Sequence, residues 1–150
     1  MSEAEKSFKE PSSIERLFNK LFGMVVGIGF GLSHNYLLQV RGRTTGQIHS
    51  TPVNLLVMNG RRYLIAPRGE TQWVRNARNT GEIWLKKGRR QYRFRIREIA
   101  DDEKPWLLKA YLDKFQTTAQ RYFSVPAGSA PEAFLPLASR YPVFELEPSN

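Results

Sequence analysis

The chain contains no cysteine, and that absence removes several chemistries at once: disulfides, zinc–thiolate sites, iron–sulfur clusters and thiol nucleophiles. A cysteine-free chain suits a reducing cytoplasm. Histidine is almost as scarce, with only His34 and His49 present. That is too few for a catalytic metal centre, so no metal is expected. No Gly-x-Ser-x-Gly elbow, Walker loop, His-Glu-x-x-His or paired-carboxylate pattern occurs, and no side chain is assigned as catalytic. Gly27-x-Gly29-x-Gly31 has half the spacing of a dinucleotide fingerprint, but it follows a predicted helix rather than a strand. Long apolar runs are missing too. The uncharged stretch from Leu21 to Leu32 is twelve residues, whereas a bilayer span needs about twenty. A secretory signal does not fit, because acidic residues precede this run and no clean small-residue cleavage site follows.

Acidic residues are also in short supply. Asp and Glu total 14 against 23 Lys and Arg, a formal net charge of +9. Such an imbalance concentrates anions near the surface. Nucleic acid, an acidic membrane surface or a small polyanionic cofactor would each respond to it, and so would a plain solvated arginine-rich surface.

At 150 residues the natural expectation is one domain. Residues 1–13 read as a flexible polar segment and 14–150 as a single domain. Ile14, Leu17, Phe18, Leu21, Phe22 and Val25 recur at helical steps after Ser12 and Ser13, which predicts an amphipathic helix over 14–32. That helix either covers the end of a sheet or rests on lipid, with Arg16 and Lys20 on its polar side.

Strands are expected at Tyr36–Val40, Thr51–Met58 and Arg62–Ala66, forming a meander with Asn59-Gly60 as its second turn. A short helix from Thr71 to Asn79 closes near Gly81, and a strand Glu82–Leu85 follows. Gln91–Ile99 alternates Tyr92, Phe94 and Ile96 with Arg93, Arg95 and Arg97, the period of a half-buried strand. Asp101 or Asp102 is expected to cap a helix with Pro105 in its first turn. Further helical segments at Thr118–Phe123 and Glu132–Ser139, and a last strand Val143–Leu146, complete a small antiparallel barrel of about six strands with peripheral helices.

Two segments carry the functional signal. The turn Arg41-Gly42-Arg43-Thr44-Thr45-Gly46 offers free N–H groups, a guanidinium fork and hydroxyls suited to phosphate, with His49 just beyond. Ala66-Pro67-Arg68-Gly69-Glu70-Thr71-Gln72-Trp73-Val74-Arg75-Asn76 places a basic loop, an indole and a helix N-terminus in sequence. Pro52 interrupts a strand, which marks an edge, a bulge or a place where the sheet yields to a ligand. Arg89, Arg90, Arg93, Arg95 and Arg97 would be the phosphate stripe of a nucleic-acid binder, but the aromatics needed for base stacking alternate to the other face.

In their order, Gly42-Arg43-Thr44-Thr45-Gly46, Thr51-Pro52, Tyr63-Leu64-Ile65-Ala66-Pro67, Gly69-Glu70-x-x-Trp73-Val74-Arg75-Asn76 and Pro142-Val143-Phe144-Glu145-Leu146 resemble the deazaflavin-dependent nitroreductase family. These are split β-barrel oxidoreductases found widely in actinobacteria. The resemblance implies an α+β fold of the flavin-mononucleotide-binding split-barrel type. It also implies 8-hydroxy-5-deazaflavin (coenzyme F420) as cofactor, with FMN as the alternative. The reaction implied is hydride transfer to an enone, quinone or nitro compound. Flavin or haem binding without that reaction, and a non-enzymatic basic nucleic-acid module, are the rival readings.

By the resemblance, Arg43, Thr44, Thr45, His49, Pro52, Asn54, Ala66, Pro67, Arg68, Gly69, Trp73, Val74, Arg75 and Asn76 match cofactor-binding positions. Tyr111 and Tyr122, with Phe123, would line the substrate side. Thr44 and His49 stand where relatives often carry lysine and arginine, and Asn54 stands where nitroimidazole-reducing members can carry tyrosine. The implied partners are a small-molecule electron acceptor and a second copy in a homodimer, with no nucleic acid. The implied location is the cytoplasm, with peripheral attachment at the inner face of the plasma membrane as the membrane-associated variant.

Overall fold

A computed structural model describes residues 34–149, so the helix expected over 14–32 lies outside the described residues. Seven strands form one antiparallel sheet: β1 (Asn35–Arg41), β2 (Ile48–Asn54), β3 (Leu56–Met58), β4 (Arg61–Ile65), β5 (Glu82–Lys87), β6 (Arg90–Glu98) and β7 (Val143–Pro148). Their spatial order is β2-β1-β5-β6-β7-β4-β3, and the sheet curls into a split barrel. Helix α1 (Gln72–Thr80) connects β4 to β5. Helices α2 (Pro105–Lys114) and α3 (Gln116–Ala119), with 3-10 turns at Gln120–Tyr122 and Pro131–Arg140, fill the crossover from β6 to β7.

The local signals act where the chain must turn. Asn59 and Gly60 both take positive φ, 54° and 76°, so β3 and β4 meet in a tight primed turn. Gly81 ends α1 at φ 76°, its N–H donating to Ala77 O at 2.8 Å, a conformation that costs glycine least. In β6 the alternation holds: Phe94 is fully buried while Arg93, Arg95 and Arg97 face solvent.

Two apolar clusters divide the interior. Leu38, Val40, Leu64, Ile83, Leu85 and Phe94 pack inside the curl. Tyr63, Ile65, Leu108, Leu112, Phe134 and Val143 join the sheet to α2 and the long 3-10 segment. The run from Arg62 to Ile65 is buried without a break because its alternate residues serve both clusters. Each fully buried Leu or Phe contributes roughly 1.5–3 kcal/mol of transfer free energy.

Three expectations are corrected. Thr51–Met58 is not one strand, and there is no meander. The run breaks at Leu55, whose N–H donates to His34 O at 2.8 Å. As a result, among the described residues, β2 pairs only with β1 and β3 only with β4, and the two lie at opposite ends of the strand order. This break also raises the strand count to seven. Pro52 therefore sits on an edge strand, where its missing N–H is tolerated. Finally, neither Asp101 nor Asp102 caps α2. Both belong to a 3-10 turn, and Lys104 stands at the cap without a side-chain bond. The buried Lys104 instead donates from Nζ to Ala138 O at 3.0 Å and pairs with Asp101 at 2.7 Å.

Candidate active site

The β1–β2 turn is closed on itself. Gly42 N donates to Gln47 O at 2.7 Å, Gly46 N to Gly42 O at 3.0 Å, and Arg41 Nη1 to Gly46 O at 2.7 Å. Gly42 makes a close approach: a Cβ there would lie 2.8 Å from Nε2 of the exposed His49 ring and 3.2 Å from Gln47 O. The turn is also fastened to α1. Asn76 Oδ1 accepts from the Arg43 backbone N at 3.1 Å and from Arg43 Nη1 at 2.7 Å, while Gln72 Oε1 accepts from Nη1 at 3.0 Å. Gln72 and Asn76 are one helical turn apart, so both reach the same guanidinium. Arg43 Nε and Nη2 have no protein partner among the described residues.

The loop between β4 and α1 is braced from behind. Ala66 N donates to Pro142 O at 2.9 Å, and Gly69, at φ 84°, turns the chain so that Thr71 N reaches Gly69 O at 2.8 Å. Arg78 locks this loop to β6. Its guanidinium donates to both oxygens of Glu70 (2.6 and 2.8 Å) and both of Glu98 (2.8 and 2.7 Å). The Arg78 hydrogen bonds hold the Glu70 carboxyl below its ordinary range, and those to Glu98 and then Glu70 push the guanidinium pKa higher still. Trp73 rests against Phe144 with ring centroids 5.9 Å apart.

Between these two loops lies a cavity of about 1030 Å³. Among the described residues Arg43, Arg68, Arg121 and His49 line it, and no carboxylate does. Strand β2 runs along it from His49 to Asn54. At the Asn54 end, Asn54 Nδ2 donates to Thr118 Oγ1 at 3.4 Å, and Tyr111 lines the cavity nearby. Burial raises the Tyr111 phenol above its ordinary value, so it stays neutral and able to donate. Thr71, at the start of α1, lines the cavity and carries a buried Oγ1 with no hydrogen-bond partner. An orphaned hydroxyl at a helix N-terminus among arginines suits an anionic oxygen.

Of the expected residues, Arg43, Thr44, Thr45, His49, Pro52, Asn54, Ala66, Pro67, Arg68, Trp73, Asn76, Tyr111 and Tyr122 line this one cavity. Gly69, Val74 and Arg75 do not. Val74 is fully buried against Ala66 and Phe144, because Val74 and Ala77 share the core-facing side of α1 while Gln72 and Asn76 share the other; Trp73 lies at the border, packed on the core and lining the cavity. Phe123 is core as well, stacked on Tyr141 at 4.4 Å. The sequence reading missed Gln72, Thr71, Thr118 and Arg121. Gln72 was legible from its four-residue spacing to Asn76. Arg121 carried no local signal. The arginines of β6 are partly neutralised, with Arg93 on Glu82 at 2.8 Å and Arg97 on Glu145 at 2.7 Å, which breaks the stripe a nucleic-acid backbone would need. Among the described residues no group of three or more His, Asp or Glu is placed to hold a metal, and no helix is long and apolar enough to cross a membrane.

The fold is that of the split-barrel flavin-binding proteins. It is similar to a protein of unknown function from Agrobacterium tumefaciens (18% identity, 78% of this chain and 49% of that one, TM-score 0.57). This chain therefore spans about half the length of that relative. It is also similar to an F420-H2 dependent reductase, FDR-A (16%, 76% and 94%, TM-score 0.50), and to the haem storage protein HutZ of Vibrio cholerae (8%, 83% and 89%, TM-score 0.54). At such identities the likeness establishes the fold alone. No curated protein matches the chain in sequence. The model of the F420H(2)-dependent quinone reductase family matches residues 15–125, and the chain belongs to that family, whose cofactor is the reduced deazaflavin F420H2.

Proposed function

We propose that this chain is an F420H2-dependent oxidoreductase that reduces an electrophilic small molecule of the enone, quinone or nitro class. One observation carries the reading: the Arg43 turn and the Trp73 helix start, far apart in sequence, are tied by Asn76 and Gln72 across one cationic cavity that no carboxylate lines among the described residues. The donor set fits a phosphate-bearing deazaflavin. Arg43 and Arg68 supply cationic forks, Thr44, Thr45 and Thr71 hydroxyls, and the start of α1 a positive dipole end. Trp73 and Pro52 give flat apolar walls for a ring system.

When bound, the reduced deazaflavin supplies a hydride from its C5; the acceptor takes up that hydride and one proton, a two-electron reduction matched by oxidation of the cofactor. The chain's own work is positional. The braced turn and loop would hold the anionic end of the ligand, and the cavity-lining residues of β2, His49 to Asn54, would border its ring. Tyr111, neutral through burial, offers a hydrogen bond to an acceptor oxygen at the Asn54 end.

Titration of oxidised F420 into the purified chain should give saturable changes in cofactor fluorescence together with quenching of Trp73. Absence of saturable binding at micromolar concentration refutes the reading, and a protein purified yellow or red would favour flavin or haem instead. Two further expectations belong to the same proposal. Light scattering should show a homodimer. Residues 14–32 should sediment the chain with anionic liposomes, a result that deletion of 1–32 abolishes.

A further inference from the structure

The proposed reaction needs an acceptor site, and the two ends of the cavity differ. β1 and β2 pair from Arg41 opposite Ile48 to Asn35 opposite Asn54. The five steps from His49 to Asn54 separate the ends by about 17 Å. The Arg43 turn occupies one end. At the other, Thr118 is held by Asn54, and Arg121 follows one helical turn later, also on the cavity wall.

Arg121 is the cation of that second end. Its guanidinium lies 4.9 Å from the centroid of the Tyr122 ring, an arrangement that orients the planar fork while leaving its N–H groups free. Among the described residues no hydrogen bond or ion pair ties it to any side chain, and none of those lining the cavity is a carboxylate that would neutralise it. The neighbouring Asn54 Nδ2 is already engaged by Thr118 Oγ1. An unpaired guanidinium beside an aromatic wall recognises a flat molecule bearing a carboxylate.

Resting on the reading above, we propose that this end is an anion subsite in which Arg121 selects acceptors carrying a carboxylate on the same flat ring as the reducible group. The same chemistry is present in the acidic tail of the cofactor, so the experiment separates the two sources. Steady-state reduction by F420H2 is measured for para-nitrobenzoate and its neutral partner para-nitrobenzamide, in wild type, Arg121→Gln and Arg121→Lys. Calorimetric titration of both compounds into cofactor-free protein, and of oxidised F420 into each variant, accompanies it.

The wild type should favour the benzoate in kcat/KM by roughly tenfold or more, the size of one charge-assisted hydrogen bond. Arg121→Gln should lose that preference through KM, Arg121→Lys should keep part of it, and calorimetry should reproduce the order without cofactor. Equal use of the two acceptors by the wild type overturns the subsite. So does an Arg121→Gln loss shared equally between them, or one confined to F420 affinity, which would assign Arg121 to the cofactor tail. If F420 fails to bind at all, the oxidoreductase reading falls, while the calorimetric preference and its loss in Arg121→Gln still decide the subsite.

Discussion

Replacing Asn76 by alanine tests the joint on which the whole site depends. Asn76 is 4% exposed, and its Oδ1 accepts both the Arg43 backbone N–H and Nη1. Losing the neutral bond costs about 0.5–1.5 kcal/mol and losing the charge-assisted bond roughly 1.5–3 kcal/mol when the partner is desolvated. The Arg43 side chain is exposed, so water recovers most of the second loss. The sum is then about 2 kcal/mol, or about 4–8 °C in Tm for a chain of this size. Released from α1, the turn should also bind F420 more weakly, by about tenfold if one oriented phosphate contact is lost. Asn76→Asp separates the two effects. A carboxylate preserves both accepted bonds and so preserves Tm, but it competes with phosphate for the guanidinium and lowers affinity. Thermal melts and fluorescence titration of the three proteins suffice. An alanine variant melting within about 1 °C of wild type, with cofactor affinity intact, would show that Asn76 does not hold the turn.

Other perturbations probe separate parts. Gly42→Ala drives a methyl against His49, 2.8 Å from Nε2 and 3.1 Å from Cδ2; the exposed ring can swing aside, so the cost should be about 1 kcal/mol, the low end for overpacking. Adding His49→Ala should recover part of that in urea melts, whereas simple additivity would exclude the clash. Because Glu70 has its folded pKa lowered by the Arg78 hydrogen bond, its stabilisation is complete above about pH 4.5, its unfolded value, and is lost as pH falls below that. Glu70→Gln should therefore lower the denaturation midpoint at neutral pH and flatten its decline in acid; an unchanged slope contradicts the assignment. Trp73→Phe should remove most of the tryptophan quenching that F420 produces, since Trp73 alone among the three tryptophans lines the cavity. Quenching that survives would place the ligand elsewhere.

What could be read from sequence was what is decided within a few residues. Asn59-Gly60, Gly81 and the Tyr92–Arg97 alternation each answer to a local steric or periodic rule, and each is found where expected. The partition of α1 was also local: Val74 and Ala77 lie on one helical face and Gln72 and Asn76 on the other. Treating Trp73 to Asn76 as one block hid it. Leu55 was out of reach because its N–H finds His34 only through tertiary packing, so nothing nearby announces that the run divides. Arg121 was equally silent, since its place on the cavity wall follows from how the α2–α3 segment folds over β2. The basic turn and the indole-led helix start were legible as chemistry. Their joining through Asn76 needed coordinates.

The position of Pro52 has one more effect. Among the described residues strand β2 has a neighbour on only one side, and such an outer margin would ordinarily invite another extended polypeptide to zip on, the first step of aggregation. A proline midway along that margin, opposite Leu37, interrupts the row of donors such a visitor would need. The residue that leaves the rim bare for a ligand thus also protects the protein from sticking to itself.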